Sequence, residues 1–496
     1  MKAFLQRAVL ATVMLLATIM ARAYDFEVDG IYYDKISDTE VEVARGENSY
    51  AGYVTIPENV IYAGNIFKVT SIGFYAFGNC WDLESVNIPH SVTSIGNTAF
   101  ESCGNLKSVE IPNSITHIGF CAFRNCYSLV TIEIPNSVSS IDFGAFAGCH
   151  KLSNILVDVG NPFFCSVEGV LFDKDKIGLI QFPAGLKGSY IIPETVGWIN
   201  GYAFYDCPFL TSIEFPNSVT SIGPYAFSYC CELTSIELPN CLRSINYFAF
   251  SKCLELKYID IPESVVNIGE RAFEECENLL NIFVDENNKN YCSLDGVLFN
   301  KNKTELLQYP AGKKIIKYTI PDSVISVYDY AFAWNSALES LIIGKQINSV
   351  GWGTFYRCDN LREVMVLNPT PPKAGDWVCL SEIYSTAILY VPMESLEAYK
   401  NANGWKSFEK IEPISSSSIS DTMAVPVVKI KVGANVITVS GAEGGVCRIF
   451  DLRGMEVASR TGLSAHESFT VKSPELYIVQ VTTGDGKSAI SKVMVK

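Results

Sequence analysis

Apolar residues recur along most of this chain at a fixed beat. Between Leu106 and Cys126 they fall at Leu106, Val109, Ile111, Ile115, Ile118, Ala122 and Phe123, with polar or turn-forming residues between them. The pattern returns 23 residues later. The Phe of an Ala-Phe pair marks each return: Phe77, Phe100, Phe123 and Phe146, then Phe204, Phe227, Phe250 and Phe273, then Phe332, and finally Phe355, which follows Thr. The step is 23 within a group and 58 or 59 between groups. A fixed period of this size predicts a repeat solenoid. A unit this small cannot bury its own apolar face, so it must stack on its neighbours.

One unit predicts its own elements. Leu106, Val109 and Ile111 have the L-x-x-L-x-L spacing of a leucine-rich repeat. Alternation around Val109 and Ile111 predicts a short strand with two side chains inward, ended by Pro112; stacked copies give a narrow parallel sheet. Ser114 is placed for its hydroxyl to cap the turning backbone. Ile115 and Ile118 predict a second short strand, and Gly119 permits the bend after it. Ala122, Phe123 and Cys126 fit one turn of helix, with Phe123 as the large core side chain.

A longer period lies over the first. The segment 154–185 returns as 281–312, shifted by 127 residues, so four units and one insert are duplicated together. Within the inserts, "VEGVLF" and "LDGVLF" predict hairpin turns between short strands.

The consensus "IPxSVxSIGxxAFxxCxxLxSIxIP" resembles the BspA-like leucine-rich repeat family of bacterial surface proteins. The resemblance implies a solenoid that acts in adhesion or ligand binding rather than catalysis. Residues 24–57 resemble its N-terminal cap. The array is expected over 58–411, with two inserts near 158–191 and 285–319, and 388–411 resembles the segment that closes such arrays.

Nine of the 16 cysteines occupy one repeat position: Cys80, Cys103, Cys126, Cys149, Cys207, Cys230, Cys253, Cys276 and Cys358; Asn335 replaces Cys in the ninth unit. Stacking places neighbours about 5 Å apart with side chains pointing the same way. A disulfide needs Cβ atoms that face each other, and no C-x-x-C pair suggests a metal site. The column is therefore expected to be reduced, buried packing. No metal and no cofactor are expected. The four histidines have no partners at ligand spacing, and H-E-x-x-H, Walker and G-x-S-x-G patterns are absent. Catalysis is not expected, although abundant Ser, Asp and Glu leave an unrecognised pair as an alternative.

Strand alternation points one residue per unit outward. That column reads Asn87, Glu110, Glu133, Leu156, then Glu214, Glu237, Asp260, Phe283, then Ile342 and Met365. Its outward neighbour is mostly small: Ser85, Ser108, Thr131, Ser212 and Ser235. Glu110, Glu133, Glu214, Glu237 and Asp260 are the candidate ligand contacts, on what is expected to be the concave face. A solvated face is the alternative.

Beyond a Ser-rich linker (412–424), residues 425–496 are Val-rich and alternating, which predicts six to seven strands in a small β-sandwich. "IFDLRGMEV" (449–457), "LYIVQV" (476–481) and the final "SKVMVK" resemble the C-terminal sorting domain of the type IX secretion family. That family usually has Gly two residues before the Tyr, where this chain has Glu475; the alternative is an ordinary accessory β-sandwich left in place.

The first 23 residues have a basic start, an apolar run and Ala21-Arg22-Ala23, the layout of a signal peptide. No later run is long enough to span a membrane. The net charge of -15 argues against nucleic acid and for a basic or neutral partner. The expected protein is secreted or on the bacterial outer surface. It is expected to bind a protein or other macromolecule, the host extracellular matrix included. The alternative is a structural envelope or spacer protein without a specific ligand.

Overall fold

Most units carry two short strands, and most of these pair in parallel with their counterparts one unit on. Ser94–Ile95, His117–Ile118 and Ser140–Ile141 form one ladder in register. The first strands form another: Ser85 and Val86 pair with Ser108 and Val109, and Thr131–Ile134 pairs with Asn154–Val157. In units such as the one with Thr131–Ile134, Pro, which has no N–H to donate, follows the inward pair and ends the strand. Ser114 does not cap its own turn. Its hydroxyl donates to the Val92 carbonyl of the preceding unit at 2.6 Å, as Ser137 does to Ile115 and Ser264 to Leu242.

The expected helical turn around Ala122, Phe123 and Cys126 does not form. Cys121 and Asn125 are left-handed, with φ of 52° and 61°. Thr98 and Ser102, Tyr225 and Tyr229, and Tyr330 and Trp334 repeat the arrangement. These residues alternate the direction of successive N–H groups. Those of Thr98, Phe100 and Ser102 donate to Phe120, Ala122 and Arg124 in the next unit, at 2.7–2.8 Å. Those of Ala99, Glu101 and Cys103 close turns onto Gly96, Thr98 and Phe100. An α-helix would satisfy all of them internally. A left-handed residue costs roughly 1–2 kcal/mol, and an intramolecular hydrogen bond contributes about 0.5–1.5 kcal/mol. Three inter-unit bonds and the buried ring offset the two strained residues.

All ten repeat phenylalanines are buried, nine at 0–1% exposure and Phe273 at 2%. Their rings stack: Phe77 to Phe100 at 4.8 Å, Phe100 to Phe123 at 4.9 Å, Phe227 to Phe250 at 5.3 Å and Phe250 to Phe273 at 5.9 Å, all within 8° of parallel. The thiols form a second column. Cys103, Cys126, Cys149, Cys253, Cys276 and Cys358 each donate to a Phe carbonyl one unit back, at 3.0–3.2 Å. Asn335 stands where the second insert ends. Its amide spans three carbonyls there, of Pro310, Ala311 and Lys313, which a thiol could not do.

The inserts are lengthened repeats rather than interruptions. In the first, Phe164–Val167 and Val170–Asp173 form a hairpin closed by left-handed Glu168 and Gly169, as the turn residues predict. Gly178–Gln181 continues antiparallel, then pairs in parallel with Trp198–Ile199. Phe182 stacks on Phe204 at 4.9 Å, and its N–H bonds the Ala203 carbonyl. Tyr309 does the same with Phe332 and Ala331 in the second insert. Phe182 and Tyr309 therefore belong to the ring column.

The structure is a computed structural model and describes residues 24–375, 377–379, 381–414, 428–433, 435–451, 456–471, 476–483 and 488–495. The expected signal peptide, most of the Ser-rich linker, and 452–455 and 472–475 within and beside the sorting-domain segments lie outside them. The chain divides into two compact units, Met1–Lys187 with Thr195–Phe209, and Gly188–Glu194 with Leu210–Lys496. In the first, the cap strands Phe26–Val28, Ile31–Lys35 and Glu40–Val43 cover the start of the ring column. Tyr50 packs on Phe77 at 4.5 Å, and its N–H meets the Cys80 sulfur. In the second unit, the strands Ile388–Val391 and Lys410–Pro413 close the array, anchored by buried Trp405 and Tyr399, which donate to the Pro372 and Asn368 carbonyls. Among the described residues beyond the linker, seven strands form two antiparallel sheets of three and four strands that share one apolar cluster.

Three tests follow from this packing. Phe227→Ala should destabilise the protein by about 3–5 kcal/mol, the usual cost of deleting a buried aromatic; an unchanged thermal midpoint would show that the ring column is not core. The nine column thiols should resist alkylation until denaturant is added, because burial pushes groups such as Cys126 and Cys253 well up and only thiolates react. Exposed Cys241 should react at once. Mass spectrometry that found Cys103 bridged to Cys126 would refute this packing. The third concerns Lys313, buried where the first insert has Leu186. Burial pulls its amine down to about 8, partly countered by Asp295. The unfolded chain then holds the extra proton between about pH 8 and pH 10.5, so stability should rise with pH across that window. Lys313→Leu should raise the melting midpoint at pH 7 and flatten that rise; a lowered midpoint would count against a buried cation here.

Candidate binding surface

The outward acidic column is built by the two compact units separately. In the first unit, Glu110 and Glu133 are exposed, between Asn87 and Leu156. In the second, Glu214 and Glu237 are exposed and Asp260 is half-buried, followed by buried Phe283. The small neighbours Ser108, Thr131, Ser212 and Ser235 leave the carboxylates reachable, as alternation predicts.

The strands beneath are not uniform. Glu133 pairs opposite Leu156, Asp260 opposite Phe283, and Glu214 opposite Ile191. Where carboxylate would stack on carboxylate, the strand lapses. The strand Ser108–Val109 ends just before Glu110, and residues 234–237, between Glu214 and Asp260, form no strand. Like charges directly opposite each other destabilise a ladder, so the column weakens its own sheet. In the second unit, Glu237 and Asp260 border a cavity of about 410 Å³, floored by Tyr258 and Phe283, whose rings stack at 6.3 Å. This surface offers spaced carboxylates beside aromatic faces, which suits cationic side chains.

Two of the histidines pair with carboxylates from neighbouring turns, His117 with Asp142 at 3.5 Å and His150 with Asp206 at 2.8 Å. Among the described residues, no group of three or more His, Cys, Asp or Glu side chains could hold a metal ion. No helix among them is long and apolar enough to cross a membrane.

A second feature was not legible in the repeat pattern. A cleft of about 650 Å³ opens in the second unit beside the second insert, with Glu270, Glu305, Tyr291 and Tyr328 on its walls. Its residues sit at non-equivalent repeat positions, so no column in the sequence collects them.

The description "BspA type Leucine rich repeat region" matches the chain in six copies, over residues 70–188, 197–317 and 290–371. No curated protein matches the chain at a significant level. Among solved structures, the chain is similar to a leucine rich cell surface protein from Faecalibacterium prausnitzii A2-165, at 23% identity over 79% of this chain and 96% of that one, with a TM-score of 0.40. It is similar to a leucine-rich repeat protein from Bacteroides ovatus ATCC 8483, at 24% identity over 79% and 100%, with a TM-score of 0.36. It is also similar to the pneumococcal vaccine antigen PcpA, at 20% identity over 79% and 99%, with a TM-score of 0.38. With its 23-residue ladders of parallel strands and this match over more than half its length, the chain belongs to the family of BspA-type leucine-rich repeat proteins.

Proposed function

We propose that this protein is secreted or displayed on the bacterial outer surface, where its array binds a basic macromolecular partner in adhesion to host or neighbouring cells. The observation that carries this reading is the outward column in which Glu110, Glu133, Glu214 and Glu237 stand beside small residues and Asp260 beside Tyr258. Nothing in the fold requires carboxylates there. They cost strand pairing at Glu110 and Glu237, a cost that a cationic partner would offset. The array serves as a rigid display surface without chemistry of its own. The resemblance of residues 425–496 to a type IX sorting domain supports a role for that region in export or tethering. Host extracellular matrix proteins with basic segments are the first partners to test.

The test is capture of partners from host and bacterial extracts, followed by measurement of affinity. One variant should combine Glu110→Gln, Glu133→Gln, Glu214→Gln, Glu237→Gln and Asp260→Asn. Exposed charges interact weakly one at a time, so the effect should need several together. We expect affinity to fall by about tenfold or more while the melting midpoint holds or rises. Wild-type affinity should also weaken as salt shortens the screening length below about 8 Å. Full affinity in the quintuple variant would reduce the column to a solvated face and shift attention to Leu156, Phe283 and the inserts.

A further inference from the structure

The second insert leaves a gap in one ladder. The strand Asn267–Ile268 pairs back to Ser244–Ile245 and has no strand partner on its other side. The next sheet begins with the insert's own antiparallel strands, Tyr291–Leu294 and Val297–Asn300, and continues through Glu305–Gln308 to Ser326–Val327. The cleft of about 650 Å³ lies at this break. The Tyr291 hydroxyl accepts the Ile268 N–H at 2.9 Å and so stands in for the missing strand, which leaves its own hydrogen to donate.

The walls are acidic and aromatic. Glu270 is exposed and Glu305 half-buried. Glu305 accepts from the Asn300 amide at 3.1 Å and faces the Tyr328 hydroxyl. Tyr328 lines the same cleft: burial first, then Glu305, Tyr291 and Glu270, push its phenol up. Gln308 borders the cleft at 8% exposure. Its counterpart Gln181 in the first insert donates to three carbonyls at 3.0–3.3 Å. Gln308 keeps only a 3.4 Å bond to the Tyr309 carbonyl, and its amide oxygen accepts none among the described residues. Gln308 is therefore held by fewer bonds than Gln181 and lines the cleft.

The fold already seats one guanidinium at the edge of this cleft. Arg271 lies 3.7 Å over the Tyr330 ring and 4.6 Å over Phe248, and pairs with Glu274. Its Nε stays without a partner, and among the described residues neither Glu270 nor Glu305 is in an ion pair. The first insert is an internal control. Its positions equivalent to Glu270, Tyr291, Glu305 and Tyr328 hold Phe143, Phe164, Gly178 and Asn200. The backbone was duplicated, but the carboxylates and phenols belong to the second copy alone.

We infer that this cleft binds the guanidinium of an arginine side chain presented by the protein partner, between Glu270 and Glu305, with Tyr328 as its aromatic wall and the Gln308 oxygen as a further acceptor. Planar guanidinium suits the site better than ammonium, because it stacks on rings while its fork of donors reaches two carboxylates and an amide. The inference rests on the array as a protein-binding surface, but not on the outward acidic column.

The test uses the full chain and the blocked peptide acetyl-Gly-Gly-Arg-Gly-Gly-amide, followed by saturation-transfer NMR and calorimetry. The peptide should bind, and the peptide with citrulline in place of arginine, which is neutral and nearly isosteric, should bind at least about tenfold more weakly. Glu270→Gln with Glu305→Gln should cost about tenfold in affinity, and Tyr328→Leu several-fold, with melting midpoints unchanged. The quintuple variant of the acidic column should bind the peptide as wild type does; loss there would place arginine on the column and overturn the assignment to the cleft. Equal binding of the citrulline peptide, unchanged affinity in the double variant, or no binding at 10 mM peptide would likewise overturn it. None of these failures touches the wider reading, which stands or falls on partner capture.

Discussion

The bond from a repeat Phe N–H to a carbonyl of the next unit, that of Ala for Phe77, Phe100, Phe123, Phe227 and Phe250, of Thr354 for Phe332 and of Val378 for Phe355, is the constraint on which the rest of this protein depends. It fixes the spacing at which rings can stack, near 5 Å in the first group. It requires a left-handed residue two positions before the Phe and another two after it, because only that alternation turns every second N–H along the stack. The strain is local, and the return is shared between neighbours. No unit is stable alone, and any unit with an aromatic residue and this backbone can join.

That rule explains the inserts. Each adds a hairpin but returns the chain to register with an aromatic residue, Phe182 or Tyr309, whose N–H finds the next Ala carbonyl. The array tolerates a lengthened unit because the hairpin leaves the ring column at one edge. Where the hairpin meets the ladder, strand pairing breaks and a cleft opens. Asn335 supports the same junction by bridging three carbonyls that the regular thiol position does not face.

The two polar features of the second unit have different origins. The acidic column comes from repetition: one outward position, carried through successive units, at the cost of strand pairing where carboxylates would stack. The cleft comes from a break in repetition, and it gathers residues from three different turns. Repetition supplies an extended field of one sign, and the break supplies a shaped pocket.

The 23-residue period, the ring and thiol columns, the hairpin turns of the inserts and the outward position of Glu110, Glu133, Glu214, Glu237 and Asp260 were legible in the sequence. Each depends on a local rule: a fixed repeat, alternation along a strand, or the Glu-Gly and Asp-Gly turn signals. The turn around Phe123 was misread as helix, since Ala122, Phe123 and Cys126 have helical spacing and nothing local reveals that their N–H groups bond to another unit. Ser114 was misread for the same reason, its acceptor being the Val92 carbonyl of the preceding unit. Phe182 and Tyr309 escaped because the inserts displace them from the 23-residue beat. The cleft was invisible because Glu270, Tyr291, Glu305 and Tyr328 share no repeat position; only the folding of the insert onto its neighbouring turns brings them together. Local periodicity determines what stacks, while hydrogen bonds and surfaces formed between units exist only once the stack is built.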